Sequence, residues 1–108
     1  MRLAPSASAA LAAACVLASF APASRASPEL AQKHACLACH AVERKVIGPS
    51  YQEVAKRYAG QPDAQAKLAA SIKAGGAGKW GPVPMPAQPG VPDDELKALA
   101  AWIAGGAR

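Results

Sequence analysis

Large aromatic and sulfur-bearing side chains are scarce in this chain of 108 residues, which holds one Phe, two Tyr, two Trp, two Met and three Cys. With so few large residues, and with Ala supplying much of the apolar content, a single small domain builds only a marginal core by surface-to-volume scaling. A disulfide framework is excluded as well. Cys15 lies in an apolar N-terminal stretch, which leaves only the closely spaced Cys36 and Cys39. Charge of neither sign is concentrated: twelve Lys and Arg oppose seven Asp and Glu, a net +5, and the basic residues are scattered. That scatter reads as a solvated surface and gives no basis for nucleic-acid binding. Repeats and internal linkers are absent too. A domain this short of large side chains needs a staple of another kind, such as a bound cofactor.

What the chain does have begins with a leader. Arg2 supplies a thin positive region, Leu3 to Phe20 is dominated by Ala, Leu and Val, and small-residue sites follow at Ala21-Pro22-Ala23 and Ser24-Arg25-Ala26. Residues 1–26 are therefore expected to form a secretory signal of the Sec type, cleaved after Ala23 or Ala26, with export to the periplasm. A retained anchor is the competing reading. It is disfavoured because the run falls near or below the ~20 apolar residues that a spanning helix needs and is interrupted by Ser6, Ser8 and Ser19. Lipidation at Cys15 fits less well still, since apolar sequence continues past it through Val16, Leu17 and Phe20. Cleavage leaves one domain over 27–108, with ten basic and seven acidic residues and no stable membrane insertion.

Within that domain, HACLACHAV carries Cys36, Cys39 and His40. Two thiols separated by two residues, with an imidazole immediately after, form the attachment pattern of a c-type haem. A turn of helix brings both sulfurs to one edge of a porphyrin for thioether formation, and the next side chain reaches the iron. A bare Cys-x-x-Cys also suits a redox dithiol, a disulfide or half of a zinc site. Zinc would need a second ligand pair, and only Cys15 and His34 remain. A buried macrocycle would, in addition, supply the apolar volume that the composition lacks.

An iron bound by His on one face needs a thioether, an imidazole or water on the other. Met85 is the only Met beyond the leader. It lies in GGAGKWGPVPMPAQPGVP, a loop stiffened by Pro82, Pro84, Pro86 and Pro89. A loop Met is ordinarily a gap-filler against the core. Here flanking prolines would hold its sulfur with little ordering cost, and Met85 is the candidate second ligand. His34 is the rival, but it precedes His40 by six residues on the attachment helix and so cannot reach the opposite face.

Four helices are expected. Ser27 is placed as the cap of the first, with Pro28 and Glu29 in its first turn, and the helix is expected to run into the Cys36–His40 turn. Ser50 and Glu53 form a capping box for a second helix that stops at Gly60. A third runs from Pro62 or Asp63 through Leu68 and Ile72 to Gly75 and Gly76. The last starts near Pro92, with Asp93, Asp94 and Glu95 in its first turn. Its apolar face is Leu96, Leu99, Ala100 and Ile103, and Gly105 closes it.

With these residues in place the chain resembles the short bacterial class I cytochromes c of the cytochrome c-551 type, also called cytochrome c8. CLACHAV, VIGPSYQEVAKRYAG, WGPVPMP and DDELKALAAWI follow in family order with closely matching spacings. The resemblance implies an all-α class I cytochrome c fold, four short helices wrapped around one covalently attached haem c, with a Pro-rich Met-ligand loop. It further implies thioethers at Cys36 and Cys39, His40 as proximal ligand and Met85 as distal ligand. By the same resemblance, the Pro49 carbonyl accepts the hydrogen bond of the other His40 ring nitrogen, Trp80 bonds a haem propionate, and Trp102 packs in the terminal helix pair. Three positions depart from the family pattern. Gln88 stands where relatives often place an Asn that contacts the Met sulfur, Ser71 where some use an Arg near a propionate, and Pro92 where a capping Ser is common.

The function expected from this reading is one-electron transfer by a periplasmic, monomeric carrier that is not an enzyme. The donor would be a bc1-type complex and the acceptor a nitrite reductase, terminal oxidase or peroxidase. A five-coordinate haem that binds peroxide or a gas is the rival chemistry, and a haem-free zinc or disulfide module is the other.

Overall fold

The computed structural model describes residues 1–4 and 26–108. Residues 5–25, which make up most of the expected leader and include its Ala23 cleavage site, lie outside the described residues. Four helices and one 3-10 turn follow one another: α1 (Ala26–Lys33), the turn Cys36–Ala38, α2 (Tyr51–Tyr58), α3 (Ala64–Ala74) and α4 (Asp93–Ala104). Among the described residues there is no strand, only isolated antiparallel bridges at His40/Lys45 and Gly76/Met85. No described helix is long and apolar enough to cross a membrane.

The organising element is α4, against which α1, α2 and α3 all pack. Its residues Leu96, Leu99, Ala100 and Ile103 recur with the helical period, and all four are buried. They divide between two clusters. Leu96 and Leu99 meet Leu30 and Ala31 of α1 together with Val91, whereas Ala100 and Ile103 meet Tyr51, Val54 and Tyr58 of α2 and Leu68 of α3. Cys36, Ala69, Ile72 and Trp102 border both clusters and are themselves only partly buried. Pro92 occupies the cap position of α4 without a side-chain hydrogen bond, so the Asp93, Asp94 and Glu95 carboxylates act alone on its positive end.

Two expectations about α1 require correction. The helix begins at Ala26, which places Ser27 inside its first turn; the buried Ser27 hydroxyl donates to the Ala98 carbonyl of α4 at 3.4 Å instead of capping. Nor does α1 continue into the cysteine motif. It ends at Lys33, and Ala35 adopts φ 58°, ψ 22°, a left-handed conformation that breaks the helical ladder. The third helix starts at Ala64, with Asp63 at its cap making no side-chain cap bond; the Asp63 carboxylate instead lies 3.4 Å from Lys67. By contrast, the Ser50/Glu53 box is complete. The Ser50 hydroxyl accepts from Glu53 N–H at 3.1 Å, and Ser50 N–H donates to the Glu53 carboxylate at 3.3 Å.

Candidate haem site

The left-handed Ala35 turns the chain back on itself and starts the Cys36–Ala38 turn, closed by bonds from Ala38 N–H to Ala35 O and from Cys39 and His40 N–H to Cys36 O, each 3.0–3.1 Å. Both thiols are free and half-buried. Burial pushes the Cys36 thiol up from its ordinary value, and the nearby Tyr51 hydroxyl only partly offsets this. No three His, Cys, Asp or Glu side chains converge as a metal cage among the described residues.

His40 follows directly. Its Nδ1–H donates to the Pro49 carbonyl at 2.7 Å, which fixes the tautomer and leaves Nε2 as the free donor atom. The buried Tyr51 ring stacks on the imidazole at 5.2 Å and 18°, and meets Trp102 edge-on at 5.3 Å and 64°. The loop between them is tied back to the motif by bonds from Gly48 N–H to Cys39 O at 2.7 Å and from Tyr51 N–H to Ala41 O at 2.9 Å. Gly48 was not singled out in the sequence, yet a Cβ there would lie 2.6 Å from His40 Cε1. The imidazole occupies the space that any side chain at 48 would need.

Met85 sits at the closed base of its loop: Met85 N–H donates to Gly76 O at 2.7 Å, and Gly76 N–H donates to Met85 O at 3.0 Å. Gly75, with φ 65°, permits this approach, since a Cβ there would lie 2.5 Å from the Met85 carbonyl oxygen. The Gln88 amide donates to Pro86 O at 3.3 Å and is thereby committed within the loop. Trp80 packs on the cluster that contains Tyr51 and carries the Arg57 guanidinium 3.9 Å above its ring. Lys73 pairs with Asp93 at 3.2 Å, and Lys79 donates to the Tyr58 hydroxyl at 3.4 Å. His34, the rival ligand, bonds Glu95 at 2.7 Å and thus ties α1 to α4.

The candidate residues therefore form two groups. Cys36, Cys39, His40, Pro49 and Tyr51 make one contiguous set, and Met85 and Trp80 lie on a loop anchored to α3 and α2. Several observations fit a haem. The His40 Nε2 is free, Cys36, Ala69, Ile72 and Trp102 present half-buried apolar surface between the two clusters, and Leu37, Val46, Ile47 and Val83 are large apolar side chains left exposed.

The cytochrome c family profile matches residues 25–106. The chain belongs to the cytochrome c family. It is 48% identical over 85 residues to cytochrome c-551 of Allochromatium vinosum, spanning 79% of this chain and 90% of that protein. It is 53% identical to cytochrome c-552 of Hydrogenobacter thermophilus over 72% of this chain and 79% of that protein. Among solved structures, Nitrosomonas europaea cytochrome c552 superposes with a TM-score of 0.71 at 47% identity, covering 73% of this chain and 98% of that one. This is accordingly a small, all-α class I cytochrome c of the c-551 type, an electron carrier with one covalently attached c-type haem. Electron carriers of this kind exchange electrons with partner proteins.

Proposed function

We propose that Cys36 and Cys39 bear the haem through thioethers, that His40 Nε2 and the Met85 sulfur are its axial ligands, and that the protein shuttles single electrons in the periplasm after removal of residues 1–26. The observation that carries this reading is the 2.7 Å bond from His40 Nδ1–H to Pro49 O. It aims Nε2 away from the backbone and makes the imidazole a better donor. Haem iron, when bound, supplies the ferrous/ferric couple. A neutral thioether from Met85 favours the ferrous form and a positive potential, as does the apolar surface of Ile72 and Trp102. With both axial positions taken by the protein, no place remains for a substrate, which fits a carrier and not an enzyme.

The haem edge near Cys36 and the Met85 loop suits a small, quickly released interface with redox partners. A bc1-type complex as donor and a nitrite reductase, oxidase or peroxidase as acceptor fit a monomeric carrier. A pyridine haemochrome assay and the oxidised visible spectrum test the reading. One haem per chain and a weak red-edge band of sulfur-to-iron charge transfer, lost in Met85→Ala, are expected. A colourless exported product, or a band indifferent to Met85→Ala, overturns it.

A further inference from the structure

The helix α2 lies between the two halves of the site, and its two ends do different things. At its N-terminal end, Pro49 and Tyr51 hold His40 through a hydrogen bond and a stacked ring. At its C-terminal end, Arg57 reaches the loop that presents Met85. Its Nη1–H donates to the Lys79 carbonyl at 2.6 Å, and the guanidinium carbon lies over the Trp80 ring, 3.9 Å from its centroid. Next to it, Lys79 Nζ donates to the Tyr58 hydroxyl at 3.4 Å.

These contacts fall at the far end of a closed loop. Its base is the Gly76/Met85 pair of backbone bonds, and a turn from Gly78 N–H to Gly81 O at 3.0 Å forms its tip. Between base and tip the chain is Gly- and Pro-rich and largely exposed, so few packing contacts restrain it. A loop fastened only at its base would pivot. Fastened at its tip to α2 as well, it moves as one body with the helix that positions His40.

Among the described residues no carboxylate pairs with Arg57, so its charge serves the loop carbonyl and the indole face and no ion pair. A planar fork that donates to a carbonyl while stacking on an aromatic ring is a task Lys performs poorly. We propose that Arg57 is a positioning residue for Met85: it pins the loop to α2 and slows release of the Met85 sulfur from the iron. This rests on Met85 being the distal ligand.

The test is the rate at which imidazole binds the ferric holoprotein, a reaction that requires Met85 to leave. Arg57→Met is expected to bind imidazole about tenfold faster, from loss of a cation–π contact together with a charge-assisted hydrogen bond. Arg57→Lys, which keeps the charge but not the planar fork, is expected to be about threefold faster, with a reduction potential near that of the unaltered protein. Lys67→Met removes the exposed Lys67–Asp63 pair on α3 and serves as the control for small stability losses, with an unchanged rate. Arg57→Met and Arg57→Lys both binding at the unaltered rate overturns the proposal; should Arg57→Met fail to load haem, Arg57→Lys decides by itself. Met85→Ala separates this from the underlying reading. If the unaltered protein already binds imidazole as fast as Met85→Ala, Met85 is not the ligand; if only Met85→Ala is fast, Met85 is the ligand and Arg57 does not position it.

Discussion

The His40 side and the Met85 side of the site are built in opposite ways. His40 is fixed by residues within eleven positions of it in sequence: the buried Pro49 carbonyl, the Tyr51 ring and a glycine whose missing side chain the imidazole fills. Each restraint is short-range, and Tyr51 is itself locked into the core against Trp102. Met85 sits in exposed, Pro-rich chain that is closed at its base by Gly76 and depends beyond that on ties from farther off, Lys73 O through Gln88 N–H and Arg57 at the tip. Stiffness therefore has two sources here. Packing supplies it on one side, and proline together with a few polar ties supplies it on the other.

The harshest way to break the first side is Tyr51→Ala, which removes a buried ring shared by the core and the imidazole. A loss of ~3–5 kcal/mol is expected, as for truncation of other buried aromatics, with denaturant unfolding of the holoprotein as the measure. On the second side, Gly75→Ala forces a Cβ into the Met85 carbonyl at 2.5 Å and a left-handed backbone onto Ala. About 2 kcal/mol is expected from strain and displacement combined. The visible band of Met–iron coordination should weaken in this variant while His40 ligation persists. Equal damage to both ligands would erase the contrast.

Ser50→Ala tests a subtler point. It removes the hydroxyl that accepts from Glu53 N–H and should cost about 1 kcal/mol of unfolding free energy. Because the cap directly follows Pro49, this variant should also broaden the His40 resonances in NMR more than those of Met85. The smallest effect concerns the tie between α1 and α4. Lys33 first, then His34, hold the Glu95 carboxyl below its ordinary value. A carboxyl so depressed contributes stability above its unfolded value, and that contribution is lost as pH falls through its lower folded value. Stability should therefore decline as pH drops below about 4.3, the ordinary Glu value, and Glu95→Gln should flatten that part of the profile without touching either iron ligand.

How much of this was legible in the sequence follows the same division. Short-range features read out well. The Ser50/Glu53 box formed as its spacing implied, and α4 buries the four residues that its period picked out. The break at Ala35 did not read out, because a left-handed alanine is imposed by the need to bring Cys36 against the core and has no signature such as Gly or Asn. Ser27 looked like a cap but is consumed by a carbonyl 71 residues away. Gly48 is an ordinary loop glycine until the imidazole is seen beside it. Arg57 was one of several scattered cations in sequence, and only the approach of Lys79 and Trp80, more than twenty residues on, gives it a task. The Pro49 bond to His40 was implied by family resemblance, and the structure contains it.

Electron paramagnetic resonance of the oxidised holoprotein is the sharpest test of His40/Met85 ligation, since it reports both faces of the iron at once. One low-spin ferric species, lost in Met85→Ala while the haem stays attached, is the predicted result. A high-spin signal from the unaltered protein, or a low-spin signal that Met85→Ala leaves unchanged, would contradict it.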